Sequence, residues 1–152
     1  MKKTIIKGII LIIIGYILGN ILFANKIELI EKLLNKDTYY FIEQGIYYDK
    51  SIMEANIKNL DFKTIVKKEE QYSVYIGITK DIDIAKRIKG IYDNKNIKVN
   101  IREKYLSSKE FSNNVDQFDI LVKSAKDNEE VLTIEEVILA NYEEIIKNSA
   151  TN

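Results

Sequence analysis

Residues 39–103 contain an internal repeat, which constrains the fold more than any other feature of this 152-residue chain. Each copy reads as a strand, an amphipathic helix and a second strand. The predicted elements are, in order, strand 39–45, helix 49–60, strand 62–68, strand 72–77, helix 82–93 and strand 97–102. Gly45 matches Gly77 and Asp49 matches Asp81, each pair 32 positions apart. The repeat therefore predicts two copies of one βαβ unit.

Joined in sequence, the two units predict an α+β fold of ferredoxin-like βαββαβ order, with a four-stranded antiparallel sheet. Glu69 and Glu70 form the predicted hairpin between the units. Asp49 and Asp81 stand directly before the helices, where N-cap residues are expected. The glycines at the ends of the first strands predict a bulge or a positive φ.

A long uncharged stretch precedes the repeat. Residues 8–25 carry no charged side chain, and ten of them are Ile or Leu, which favours membrane insertion by about 5 kcal/mol. Lys2, Lys3 and Lys7 precede this stretch, so the positive-inside rule places the N-terminus in the cytoplasm and the following domain outside it. We therefore expect residues 5–25 to contact the lipid bilayer as a single transmembrane helix, and residues 26–38 to form a stalk.

A cleaved signal peptide is the alternative interpretation of this segment. The apolar run is longer than a typical signal h-region, and Leu22 stands where a cleavage site needs a small residue. The spacing of Gly15 and Gly19 also allows a helix dimerisation face, and with it a homodimer.

The middle of the chain resembles the SPOR (sporulation-related repeat) domain family over about residues 39–103. The run Tyr72-Ser73-Val74-Tyr75-Ile76-Gly77 matches the family's second strand motif, and Ala85 matches the helix that follows. In the first motif, Glu43 stands where the family usually has Gln. The resemblance implies a membrane-anchored, extracytoplasmic domain, at 39–105, that binds peptidoglycan glycan strands in cell division or sporulation.

The alternation of strand residues assigns the two faces of the predicted sheet. The apolar set reads as the core facing the helices: Ile42, Thr64, Val66, Val74, Ile76, Ile97, Val99 and Ile101. The opposite face is expected to be open, with aromatic platforms for sugar rings and with cations for the carboxylates of the glycan. The candidate ligand-binding residues are Phe41, Glu43, Lys63, Tyr75, Lys98, Asn100 and Arg102.

Residues 106–152 form an acidic extension, with four basic and ten acidic side chains. Two amphipathic helices are predicted, at 115–125 and from the capping-box signature at Thr133 onward. Their apolar stripes include Leu121 and Val137. This helical hairpin could pack on an edge of the βαββαβ unit, lie across the open sheet face, or contact a partner. The second arrangement would block the predicted glycan site.

Composition excludes several classes of enzyme. The chain has no Cys and no His, which removes the usual zinc and haem ligands and ordinary serine-type triads. Glu43 is the only carboxylate predicted on the open face, whereas glycoside hydrolysis needs two. No phosphate-binding loop or dinucleotide fingerprint is present. We expect no catalysis, no cofactor and no metal. A nucleic-acid-binding sheet is not expected either, because the main RNA-recognition motif is missing.

Two hypotheses of function remain. The leading one is a membrane-anchored protein that recognises peptidoglycan glycan strands through the open sheet face. The alternative is a structural assembly factor, in which the domain and the acidic hairpin contact a second copy or a membrane protein partner.

Overall fold

The computed structural model describes residues 36–149, except for the side chain of residue 149. Its elements are β1 (Asp37–Tyr47), α1 (Lys50–Ile57), β2 (Thr64–Lys68), β3 (Gln71–Thr79), α2 (Ile82–Asn94), β4 (Asn100–Leu106), α3 (Lys109–Ser124) and α4 (Asn128–Ser149). The predicted membrane anchor, the possible dimerisation glycines and most of the predicted stalk lie outside the described residues. Within residues 36–149, none of the helices combines the length and the apolar character needed to cross a bilayer.

The four strands form one sheet in the order β2-β3-β1-β4, with every neighbouring pair antiparallel. The first six elements follow the order βαββαβ. The α+β class with a four-stranded antiparallel sheet is therefore confirmed, and the strand order is consistent with the ferredoxin-like arrangement.

Both predicted helix caps are present. The Asp49 carboxylate accepts hydrogen bonds from the backbone N–H groups of Ser51 and Ile52, at 2.8 and 3.1 Å. The Asp81 carboxylate caps α2 in the same way. Each cap satisfies backbone donors that the first helical turn leaves free. A hydrogen bond from the Ser51 hydroxyl is the largest cause of the lowered pKa of Asp49, with the two backbone bonds next, and a hydrogen bond from Lys123 is the largest cause of the lowered pKa of Asp81.

The second halves of the two repeats depart from the prediction. Strand β4 begins at Asn100, three residues later than expected. In β2, Thr64 pairs with Tyr75 and Val66 with Ser73. Thr64 and Val66 therefore share the sheet face of Tyr75, and placing them in the core beneath α1 and α2 was wrong. The antiparallel register, which a single strand's alternation does not reveal, fixes this orientation.

The predicted glycine conformations are only partly present. None of the glycines in the described part of the chain has a positive φ. Register shifts do occur in β1 between Ile42 and Gly45, so a bulge lies beside the first of the two glycines. The described residues with positive φ are instead Glu69, with φ 55°, in the turn between β2 and β3, and Asn96, with φ 57°, after α2.

The acidic extension forms a helical hairpin, as predicted, but with longer helices. Helix α4 begins at Asn128, not at Thr133, because the Asp127 carboxylate accepts a hydrogen bond of 2.9 Å from the backbone N–H of Glu130. Thr133 lies inside the helix, and its hydroxyl donates to the carbonyl of Glu129. The capping-box prediction at Thr133 was therefore wrong. Three residues, 125–127, connect α3 to α4.

The sheet carries helices on both faces. One hydrophobic core contains Ile42, Val74 and Ile76 together with residues of α1 and α2. A second core contains Phe41 and Tyr75 together with residues of α3 and α4. The hairpin thus makes a third layer that covers the sheet face opposite α1 and α2.

Candidate functional site

The sheet face that was predicted to be open is filled by the chain's own C-terminal hairpin. Phe41 is completely buried and Tyr75 is 2% exposed. Tyr142 of α4 packs against both, with ring centroids 5.1 Å from Phe41 and 6.5 Å from Tyr75. The prediction that Phe41 and Tyr75 serve as exposed platforms for sugar rings is therefore wrong. Of the three arrangements considered for the hairpin, it adopts the one that covers this face.

Aromatic side chains on both the sheet face and the hairpin explain why the hairpin covers this face. The sheet contributes Tyr39, Phe41 and Tyr75, and the hairpin contributes Phe111 and Tyr142. Tyr39 stacks on Phe111 at 5.4 Å between ring centroids. Each well-placed aromatic pair adds about 0.5–1.5 kcal/mol beyond its buried area. Leaving both surfaces in water would forfeit that packing, so the two faces close on each other.

Helix α4 also fills a gap in the sheet. Strand β2 pairs with β3 only from Gln71 to Tyr75, so the end of β3 has no strand on that side. The Glu135 carboxylate occupies this gap and accepts a hydrogen bond of 3.0 Å from the backbone N–H of Ile78. Glu135 is 1% exposed, its Oε1 atom has no hydrogen-bond partner in the described part of the chain, and burial raises its pKa to about 8.

Gly77 makes room for this contact. A Cβ atom at this position would stand 3.1 Å from Oε2 of Glu135 and 3.1 Å from the side chain of Ile42. The sequence predicted a bulge or a positive φ at Gly77, whereas the glycine allows the close approach of a side chain from α4.

Helix α3 is fastened at the same end of β3. The Asp119 carboxylate accepts a hydrogen bond of 2.7 Å from the Thr79 hydroxyl and one of 3.0 Å from the backbone N–H of Lys80. Burial is the largest cause of the raised pKa of Asp119. The Lys80 ammonium donates to Ser112 and pairs with Asp116 at 2.8 Å. These contacts join α3 to the strand end through polar groups that no sequence motif marks.

The other predicted binding residues do not form one site. Glu43 is 4% exposed and pairs with Arg102 at 3.3 Å. The Lys63 ammonium donates to the backbone carbonyl of Leu60. Lys98 and Asn100 line a separate cleft of about 610 Å³, together with Gln44, Asn56, Asn59, Leu60, Asn96 and Ile97. The residues proposed to surround an anionic sugar are therefore buried, paired or dispersed.

The described part of the chain offers no cluster of side chains suited to bind a metal ion. Among residues 36–149, no group of three carboxylates or other metal-ligating side chains could hold an ion.

No protein-family description, no curated protein and no solved structure matches the chain. The resemblance to the SPOR family, which rests on short motifs, stays a prediction.

The outward side of the hairpin exposes apolar side chains along the line between α3 and α4, which the sequence did not predict. Leu121 and Val137 were expected on buried stripes, yet they are 51% and 49% exposed. They belong to stripes of residues three and four positions apart on the two helices, which lie side by side where the Asn114 amide donates to the Asn141 amide at 3.2 Å. We call this surface the hairpin groove and define it by Asn114, Gln117, Leu121, Ile134, Val137 and Asn141.

Proposed function

We propose that this chain is a membrane-tethered, non-catalytic assembly factor that binds another protein through the hairpin groove. The observation that carries the proposal is the exposure of Leu121 and Val137 on neighbouring helix stripes. The proposed tether is the apolar segment at 8–25, and the positive-inside rule, applied to the three lysines before it, supports a domain outside the cytoplasm.

The pattern of exposure supports a contact surface. Single exposed aliphatic side chains are normal on soluble domains, and Ile52 on α1 is an example. Leu121 and Val137 differ, because they flank the partly buried Ile134 along the line where two helices meet. Exposed apolar side chains that adjoin one another on two neighbouring helices, rather than singly, favour a protein contact site.

The inner side of the same hairpin weakens the glycan hypothesis. With Phe41 and Tyr75 beneath α4, a sugar ring cannot stack on either side chain unless the second core opens. The groups that remain on this face, such as the Arg102–Glu43 pair, offer no aromatic platform of their own. We therefore do not propose peptidoglycan binding through this sheet face.

Site-specific photo-crosslinking in cells tests the proposal. A photoreactive amino acid replaces Leu121 or Val137 in the full chain, and Ile52 serves as the control because it is a helical, exposed aliphatic residue outside the groove. We expect a discrete protein adduct from positions 121 and 137 after irradiation, and none from position 52. The same cells, fractionated, should retain the chain in the membrane.

Two results would contradict the proposal. One is an absence of adducts at both groove positions in cells where the chain is produced and folded. The other is sedimentation of the purified chain with isolated sacculi that persists unchanged when Leu121 becomes Asp. That second result would restore cell-wall binding as the function, at a site other than the covered sheet face.

A further inference from the structure

We infer that the hairpin groove binds an amphipathic helix whose apolar stripe is flanked by Lys or Arg. This inference rests on the proposed function and names the chemistry of the partner. The groove fits a helix because its two walls are themselves helices, whose side-chain rows leave a furrow into which a third helix can pack.

The register of the groove is fixed by contacts within the hairpin. Only residues 125–127 join α3 to α4, which makes the two helices antiparallel, and the 3.2 Å contact of Asn114 with Asn141 sets these two positions side by side. Moving from this pair toward the α3–α4 loop brings Leu121 close to Ile134, with Val137 between them and the asparagines. The apolar centre of the groove is about one helical turn long, because Ile134 and Val137 are three residues apart, and it fits two anchors of a docked helix spaced i, i+3 or i, i+4.

The ends of the groove are acidic. Continuing the same stripes by three or four residues leads to Glu110 on α3, and to Glu130 and Glu144 on α4. All three carboxylates are exposed, and none forms a salt bridge with another described residue. Between Glu110 and Leu121 on α3, and between Glu130 and Glu144 on α4, neither stripe carries a Lys or Arg, and Lys147, three residues beyond Glu144, pairs with Glu143. A helix lying in this groove therefore meets negative charge at both ends.

This charge distribution argues against a second copy as the occupant. Two grooves facing each other would bring Glu130 and Glu144 of one chain near the same carboxylates of the other. Like charges across an interface oppose association, whereas Lys or Arg at the ends of a partner helix is attracted to them. Charge complementarity thus selects a basic amphipathic helix over self-association.

A binding experiment with designed peptides tests the inference. The full chain in detergent is titrated with a fluorescent helical peptide that has Leu on one stripe and Lys beside it, and with a matched peptide in which Glu replaces every Lys. We expect the basic peptide to bind, with affinity that falls as salt rises, and the acidic peptide not to bind. Replacing both Glu130 and Glu144 by Lys should weaken binding about tenfold, since two attractions become repulsions.

Glu136→Lys is the matched control, because Glu136 is an exposed residue of α4 that lies off the groove stripe. Its binding should equal that of the unmodified chain within about twofold. Equal binding of the basic and acidic peptides, or no effect of the Glu130 and Glu144 changes, overturns the inference. So does a dimer of the full chain, measured by sedimentation equilibrium, that Leu121→Asp dissolves.

These outcomes separate the two proposals. If the peptide fails to bind while photo-crosslinks at position 121 persist in cells, the partner is not a basic helix but the assembly role stands. If the peptide does not bind and no crosslinked adducts form, the proposed assembly role is contradicted too.

Discussion

The Glu135 carboxylate of α4 accepts a hydrogen bond of 3.0 Å from the backbone N–H of Ile78 on β3. Through this contact a helix side chain supplies the hydrogen-bond acceptor that a neighbouring strand would normally supply, because β2 is too short to pair with the end of β3. The contact also places an ionisable group beside Gly77 and close to Tyr92 of the first core, and near enough to Asp119 to raise the pKa of Glu135 further. The hairpin is therefore held by a contact that depends on pH.

The first prediction concerns stability against pH. The pKa of Glu135 is about 8 in the folded chain and 4.5 without the protein environment, so between these values the folded state holds a proton that the unfolded state has released. The free energy of unfolding should fall as pH rises through this window and level off above pH 8. Glu135→Gln stays neutral and keeps an oxygen acceptor for Ile78, so it should flatten the curve.

Urea unfolding followed by circular dichroism from pH 4.5 to 9 makes the measurement. The two proteins should diverge toward alkaline pH by a few kcal/mol, since one pKa unit corresponds to about 1.4 kcal/mol. Asp119, whose pKa burial also raises, acts in the same direction in both proteins and cancels in the difference. If the plots of unfolding free energy against pH stay parallel for the two proteins, Glu135 is not the cause of the pH dependence.

The second prediction compares two aspartates on α3. Asp119→Ala leaves the buried Thr79 hydroxyl and the Lys80 backbone N–H without their acceptor, at a cost of about 1–3 kcal/mol for each unpaired group. Asp116→Ala removes an ion pair between the exposed Asp116 and the half-buried Lys80 and should cost about 1 kcal/mol or less. Thermal and urea unfolding measure both. Equal losses of unfolding free energy would mean that the buried hydrogen bonds of Asp119 are not what holds α3 at this strand end.

The third prediction concerns the repeat. Ile52 and Ile84 occupy equivalent positions, but Ile52 is 56% exposed and Ile84 is 4% exposed. Ile84→Ala should therefore cost about 2–4 kcal/mol of unfolding free energy, whereas Ile52→Ala should stay within about 0.5 kcal/mol. Similar losses from the two substitutions would indicate that α1 packs more closely than its exposure implies.

These residues show which parts of the fold the sequence could predict. Asp49 and Asp81 were identified as caps because capping is a local relationship between a side chain and the next three residues. The βαββαβ order followed from the repeat. The orientation of Thr64 in β2 was not predictable, since it depends on the pairing register with Tyr75 across the hairpin.

The candidate site was harder to predict. Alternation correctly placed Phe41 and Tyr75 on the same face, but alternation does not tell whether another part of the chain covers that face. Tyr39, Phe41 and Tyr75 gave the available signal, because three large aromatic side chains on one face are costly to leave in water. Reading them as core residues would have paired them with the apolar stripe of α4.

The central claim is that the hairpin closes this sheet face. Its most direct test is the rate at which a thiol reagent labels a cysteine placed at position 75. The chain contains no Cys, so Tyr75→Cys and Ile65→Cys each introduce a single reactive thiol, one beneath the hairpin and one on a half-exposed edge position. With both variants shown by circular dichroism to be folded, maleimide should label position 65 at least about a hundredfold faster than position 75, because labelling at 75 must wait for an opening that costs several kcal/mol. Equal labelling rates in the folded chain would contradict the closed face and return it to the list of open binding surfaces.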